Sequence, residues 1–315
     1  MDFNKNLCPY KMKSVSCIIT TRNRLNLLKR AIESVLNQNY ECKELIIVDD
    51  GSTDGTRQWC EQMVRDGELK YIPIPPGQSK GGNYARNLGI NASSGEYIAF
   101  LDDDDEWLPE KISKQVEYLQ NNPECVVVYG NTIIEEVDCN GNINYKPIIT
   151  DSEYNGNVSI KILLAIFTTT SLIMTRRNAI IEVGMFDEKL KFWQEYELSI
   201  RLAQIGEFHC INEPLIRYRV NESDTNRLTN KYYEWRSAVR YIHKKHECLY
   251  KKLTYFELFK SKSVVWKDAA NRSRVCGMKM TSIGYRILYK NFKIIEAIKN
   301  GVFFDKIINR LRRGN

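Results

Sequence analysis

The strongest constraint on this chain is an alternation repeated three times in its first hundred residues. A short apolar run gives way to a segment of helical period, and then to another apolar run. "SVSCIITT" (14–21) is almost continuously apolar, as a strand buried on both faces must be. "RLNLLKRAIESVLNQ" follows, with Leu25, Leu28, Ala31, Ile32, Val35 and Leu36 on one helical stripe. "KELIIVDD" (43–50), "LKYIPI" (69–74) and "EYIAFLD" (96–102) read as three further strands with helical segments between them. Thr53 or Asp54 offers an N-cap for the helix that follows "DDGS". Repeated β-α-β of this kind predicts a Rossmann-like, mostly parallel sheet with helices on both faces, an α/β fold.

Such sheets take ligands outside the carboxyl ends of their strands. Three of the strands predicted here end in polar clusters: "TTRN", "DDGS" and "DDDD". A parallel arrangement sends all three to one edge. Further on, "PEKISKQVEYLQNN" reads as a helix with Pro109 at its first turn, and "CVVVYGNTIIEEV" as a strand. "DCNGN" marks a hairpin tip, and "EYELSIRLAQIG" a helix ended by Gly206.

The four aspartates 102–105 repel one another, so their gathering needs a cause. Hard divalent cations such as Mg2+ or Mn2+ take carboxylate oxygens together with water and substrate phosphates. On an extended segment Asp102 and Asp104 share one side, and Asp103 and Asp105 the other. The competing reading is a solvated acidic turn that caps the helix after Pro109. Its place beside two other polar strand ends favours the metal.

Charge divides the chain into an expected domain of residues 1–228 and a basic helical region, 229–315. The second holds 21 Lys and Arg against 6 Asp and Glu, and the first 25 against 33. A basic tail of this kind meets phosphate, in nucleic acid or at an anionic membrane surface. Nucleic acid is disfavoured, because acidic strand ends suit no DNA or RNA groove. Nine scattered cysteines without a C-x-x-C pair fit reduced thiols in the cytoplasm. The first residues carry no apolar signal region, and "IKILLAIFTTTSLIM" is too short and polar to span a bilayer.

"VSCIITTRNRLNLLKRAIESVLNQNY", "ELIIVDDGSTDGT", "ARNLGI" and "GEYIAFLDDDDEWLPEKI", in this order, closely resemble family-2 glycosyltransferases of the GT-A fold, over about residues 14–220. The resemblance implies an inverting, metal-dependent transfer of a sugar from a nucleotide-diphospho-sugar donor, UDP-linked, to a hydroxyl acceptor. Thr20, Thr21 and Arg22 would line the nucleotide pocket, with Arg22 where the family usually has tyrosine. Asp50 would bond the base while Asp49 supports the turn, and Arg86 would reach toward the nucleotide or the aspartate cluster. Asp102 and Asp104 match the D-x-D positions: Asp104 would hold Mn2+ or Mg2+, Asp102 would sit near ribose or metal, and Asp103 would lie beside them. "FWQEYELSIRL" resembles the start of the helix that carries the general base, which makes Glu195 the expected base. Gln194 departs from the family's acidic residue there. Arg217 and Arg219 are candidates to face the diphosphate, or equally to be surface arginines of a strand. The expected acceptor is a glycan or lipid-linked molecule in bacterial surface polysaccharide or glycolipid assembly, at the cytoplasmic face of the membrane. A nucleotide-sugar binding protein without activity is the alternative.

Overall fold

The computed structural model describes residues 13–137, 143–150, 154–221 and 231–299. The chain divides into two compact units. One comprises residues 1–162 and 167–224, the other 163–166 and 225–315. The charge boundary at 228/229 and the "DCNGN" turn lie outside the described residues.

The first unit is built on a nine-stranded mixed sheet. Its strands are β1 (Val15–Thr21), β2 (Lys43–Asp49), β3 (Lys70–Pro73), β4 (Tyr97–Asp102), β5 (Asp105–Trp107), β6 (Cys125–Val137), β7 (Ile143–Ile148), β8 (Met174–Arg176) and β9 (Glu207–Asn221). They lie in the order β3-β2-β1-β4-β8-β6-β9-β5, with β7 paired to β6. β1 pairs in parallel with both β2 and β4, and β2 with β3. These are the four strands that the opening alternation predicts, and their residues from Val15 to Ile19 and Ile46 to Val48 form the centre of the core. The later strands add antiparallel pairs, β4 with β8 and β5 with β9.

Helices α1 (Leu25–Leu36), α2 (Thr56–Arg65) and α3 (Gly82–Ala92) make the crossovers. With right-handed connections, α1 and α2 lie on one face of the sheet and α3 on the other. α3 sits unusually close: a Cβ on Gly89 would stand 2.5 Å from Ile18 Cγ2. The N-cap of α2 is Gly55 in the left-handed region, and Asp54 serves from one residue earlier, its Oδ1 accepting from the Thr56 N–H and hydroxyl. α4 (Lys111–Asn121) packs on β6, followed in the chain by α5 (Arg177–Glu182) and α6 (Gln194–Leu202). Cys17, Cys60, Cys125 and Cys210 are buried free thiols. Cys42 departs from the expected reduced state, being disulfide-bonded.

The second unit is helical: α7 (Tyr232–Lys245), α8 (Glu247–Tyr250), α9 (Tyr255–Val275) and α10 (Lys279–Lys299). α9 opens with a capping box in which Thr254 and Glu257 satisfy each other's backbone N–H groups. His246 is buried, and the His243 ring lies 4.4 Å from that of Tyr250.

Candidate active site

Strand register brings the polar ends together. Thr21 of β1 stands opposite Asp49 of β2, and Thr20 opposite Asp102 of β4. The chain turns sharply after each. At β2 the turn depends on Gly51, whose φ of +82° is a conformation that side chains other than glycine rarely adopt. Asp49 is buried and holds this turn: Oδ1 accepts from the Ser52 N–H at 2.8 Å and Oδ2 from the Tyr71 hydroxyl at 2.7 Å. Asn23 takes a positive φ after β1, and its side-chain oxygen accepts from the Thr53 N–H at 2.7 Å. The two turns are thereby locked to each other.

The four aspartates do not lie on an extended segment. Residues 103 and 104 form a turn between β4 and the short strand β5, which corrects the alternating arrangement expected of them. Asp103 is buried and its Oδ2 accepts from the Thr21 hydroxyl at 2.7 Å. Arg24 Nη1 reaches Asp103 Oδ1 and Asp104 Oδ2, each at 3.1 Å. Asp105 points inward, with Oδ2 accepting from the Ser171 hydroxyl at 2.6 Å and Oδ1 buried without a hydrogen-bond partner. The same Ser171 oxygen accepts from the Asp102 N–H at 3.0 Å. Asp102 and Asp104 are left as the two partly exposed carboxylates of the turn, at 36% and 41%.

Burial sets the electrostatics of this turn. It pushes the Asp103 carboxyl up to about 6, with Asp104 adding to the shift and Arg24 and Thr21 opposing it. Asp105 is driven well above the usual carboxylate range by burial, reinforced by Asp104 and Asp102. Asp105 is thus the aspartate of this turn that most favours its protonated form, while Asp102 and Asp104 each face an arginine.

Arg86 on α3 is the second cation of the site. Its Nη2 lies 2.6 Å from Asp102 Oδ1, and its guanidinium sits over the Phe186 ring at 5.5 Å. Asp50 is buried; its Oδ2 accepts from the Ser79 hydroxyl at 2.7 Å, and its Oδ1 has no hydrogen-bond partner. Arg22 is exposed and donates to the same Ser79 oxygen at 3.1 Å, so Arg22, Ser79 and Asp50 form one line. Thr20 is part-buried on β1.

α3 also grips the segment that precedes the expected base. Asn83 donates to the carbonyls of Asp187 and Leu190, at 2.8 and 2.9 Å, and Asn87 to that of Phe186 at 3.0 Å. The helix that carries Arg86 therefore also grips the segment leading into α6. Trp193, just before α6, is buried against Tyr196 and has a left-handed backbone, φ 55°. That burial favours core packing over stacking on an acceptor sugar. Glu195 is part-buried in the first turn. Glu197 is fully buried and salt-bridged to Arg201 at 2.7 Å, and Arg201 also donates to the carbonyls of Val183 and Met185.

Arg217 and Arg219 have other partners than those suggested by the sequence. Arg217 pairs with Glu106 at 2.9 Å and lies 3.6 Å from Glu135, and Arg219 lies 3.5 Å from Glu135. Arg24, Ser79 and Ser171 are site residues that sequence reasoning missed. Arg24 stands inside the "TTRNR" stretch and could have been found there; nothing marked Ser79 or Ser171.

Residues 16–184 match the family model described as glycosyl transferase family 2. The chain belongs to that family. Among relatives of this family member is an uncharacterized glycosyltransferase of Nostoc, 32% identical over 67% of the chain and 66% of the relative. Another, of Rickettsia bellii, is 31% identical over 69% of the chain, which spans only 30% of that relative's length. A Campylobacter jejuni relative named GalNAc(5)-diNAcBac-PP-undecaprenol beta-1,3-glucosyltransferase is 28% identical over 73% of the chain and 72% of its own length. Two solved structures share the GT-A-like fold. S. aureus TarS 1–349 in complex with UDP-GlcNAc aligns with a TM-score of 0.56 at 15% identity, over 91% of this chain and 92% of that one. Mannosyltransferase PcManGT from Pyrobaculum calidifontis, in complex with GDP-Man and Mn2+, gives 0.52 at 16% identity over 94% and 89%.

Proposed function

We propose that this glycosyltransferase moves a sugar from a UDP-linked donor to a hydroxyl of a glycan or lipid-linked acceptor, with inversion and with a divalent cation. The observation that carries this reading is the convergence of Thr21, Asp50, Arg86 and Asp102–Asp104 on one edge of a parallel sheet. Asp50 Oδ1 is a buried acceptor without a partner, suited to an N–H of the base. Arg22 shares the Ser79 hydroxyl with it, Asp49 holds the turn that carries it, and Thr20 stands opposite Asp102 on the neighbouring strand.

The donor atoms at the turn suit a hard cation. Asp102 and Asp104 offer partly exposed carboxylate oxygens, and Arg24 and Arg86 temper the surrounding negative charge. These two aspartates would hold Mn2+ or Mg2+, and Asp103 would stay beneath them on Thr21. When bound, such an ion offsets the charge gathering on the departing nucleoside diphosphate. Arg86 has the reach to add a second positive charge on that side. Glu195 takes the proton of the acceptor hydroxyl as that oxygen attacks the anomeric carbon from the face opposite the leaving group. Glu197 is excluded from this task by its buried pair with Arg201.

Residues 1–228 are read as the catalytic domain and 229–315 as the basic region that meets the acceptor. The undecaprenol-linked substrate in the name of the Campylobacter relative supports a lipid-linked acceptor, and with it surface polysaccharide or glycolipid assembly at the cytoplasmic face of the membrane. The test is a thermal-shift screen of nucleotide sugars with and without Mn2+, followed by transfer assays on the donor it selects. A donor that stabilises only with Mn2+, and not in Asp104→Ala, is the expected result. Donor stabilisation and turnover indifferent to Mn2+ and to Asp104→Ala would refute the metal assignment.

A further inference from the structure

Helix α10 has two faces of different character. On the first, Ser282 is buried and donates to the Ala270 carbonyl at 2.9 Å, and Tyr285 is bonded to the Tyr232 hydroxyl at 3.2 Å. The Phe292 ring lies 6.0 and 5.8 Å from those of Phe256 and Phe259 on the same side. This face seats α10 on α9 and α7.

Turned away from it are Met280, Ile283, Ile287, Leu288, Ile294 and Ile295, all between 42% and 80% exposed. Their spacing of three, four and seven residues sets them along one stripe of the helix. Lys279, Arg286, Lys290 and Lys293 run along one border of that stripe, at spacings of seven, four and three. Single exposed aliphatic residues are ordinary, but a continuous row with a basic border marks an interaction surface.

We propose that this face of α10 seats the enzyme on an anionic phospholipid bilayer. The helix lies in the interface plane, its aliphatic row at the acyl boundary and its basic row among the headgroup phosphates. Charge selects lipid over a second copy of the chain. Residues 229–315 carry 21 basic side chains against 6 acidic ones. Self-association brings two such bodies together, whereas an anionic surface neutralises them. Among the described residues no helix is long and apolar enough to cross a membrane, so this one lies on the surface. The inference deepens the membrane reading above by naming the element responsible. It is read without turnover, so it can fail while the transferase assignment stands.

The experiment is flotation of the full chain with phosphatidylcholine vesicles, pure or mixed with phosphatidylglycerol. The protein is expected to float with the mixed vesicles only, and less as salt rises. Ile287→Asp combined with Ile294→Asp should weaken binding about tenfold or more. Arg286→Gln and Lys290→Gln should each weaken it about fivefold, while Ile287→Leu retains it. These positions are exposed, so Tm is expected to hold; should the aspartates lower it, the two charge variants decide alone. Equal flotation of wild type and charge variants, or of pure and mixed vesicles, overturns the proposal. So does a wild-type dimer in sedimentation that the aspartate pair converts to monomer, because the stripe would then be a self-interface.

Discussion

Arg86 Nη2 lies 2.6 Å from Asp102 Oδ1, a bond that ties α3 to the end of β4. One helix thereby holds two segments of the first unit. Its arginine holds the aspartate turn, while Asn83 and Asn87 hold the segment that leads to Glu195. Arg86→Ala is expected to weaken nucleotide-sugar binding about tenfold or more, because a nearly buried charge-assisted bond is lost. Arg86→Lys should restore little of it, since an ammonium cannot keep the guanidinium's place over Phe186. Calorimetric titration with the donor found in the screen measures both.

Glu195 and Glu197 stand two residues apart in α6 and are expected to fail in opposite ways. Glu195→Gln should lower turnover by about a hundredfold or more while donor affinity holds. Glu197→Gln should cost about 3 kcal/mol of stability, because Arg201 is left without its buried carboxylate. Single-turnover kinetics and urea denaturation, run on both variants, separate the two roles. If Glu195→Gln keeps full turnover, the base lies elsewhere.

Asp105 and Ser171 form a strut beneath Asp102. Burial favours the protonated form of Asp105, so Asp105→Asn should be tolerated, with a stability change within about 1 kcal/mol. Ser171→Ala breaks bonds to Asp105 and to the Asp102 N–H together, and should cost about 1–3 kcal/mol. Its KM for donor should rise more than that of Asp105→Asn. Equal effects of the two variants on KM would remove Ser171 as the support of Asp102.

Lys111 is wholly buried, its Nζ 2.7 Å from Gln115 Oε1 and 4.2 Å from the centre of the Trp107 ring. Burial lowers its pKa to about 7. An unfolded lysine holds its proton to about pH 10.4, so between pH 7 and that value the unfolded chain binds more protons than the folded one. Stability from this residue therefore rises with pH, by about 2 kcal/mol from pH 7 to 9. Urea denaturation at the two pH values should show that gain in the wild type. Lys111→Met should lack it.

The parallel half of the sheet was legible because doubly buried strands leave unbroken apolar runs, and amphipathic helices leave a 3.6-residue period. Ending three such strands in polar clusters was enough to locate the edge where Thr21, Asp50 and Asp102 meet. The turn at Asp103–Asp104 was not legible, because β5 is only three residues long and its partner β9 lies more than a hundred residues away. Ser79 and Ser171 escaped for a related reason. Their hydroxyls matter through Asp50 and Asp105, and a serine's hydrogen-bond partner across such separations leaves no trace in periodicity. The carboxylates that pair with Arg217, Glu106 and Glu135, reach it only through strand pairing and so were not legible either.

The common register of β1, β2 and β4 also limits how such a chain can change length. Deleting one residue within β1 would exchange its two faces and swing the Thr21 hydroxyl away from Asp103. Neighbouring strands offer no slack to absorb the slip. Insertions and deletions are therefore channelled into connections such as residues 75–81 and 186–193, which do not thread the sheet. Under the proposed function, new acceptors can be accommodated by redrawing those segments, while the nucleotide end is passed on as a fixed block.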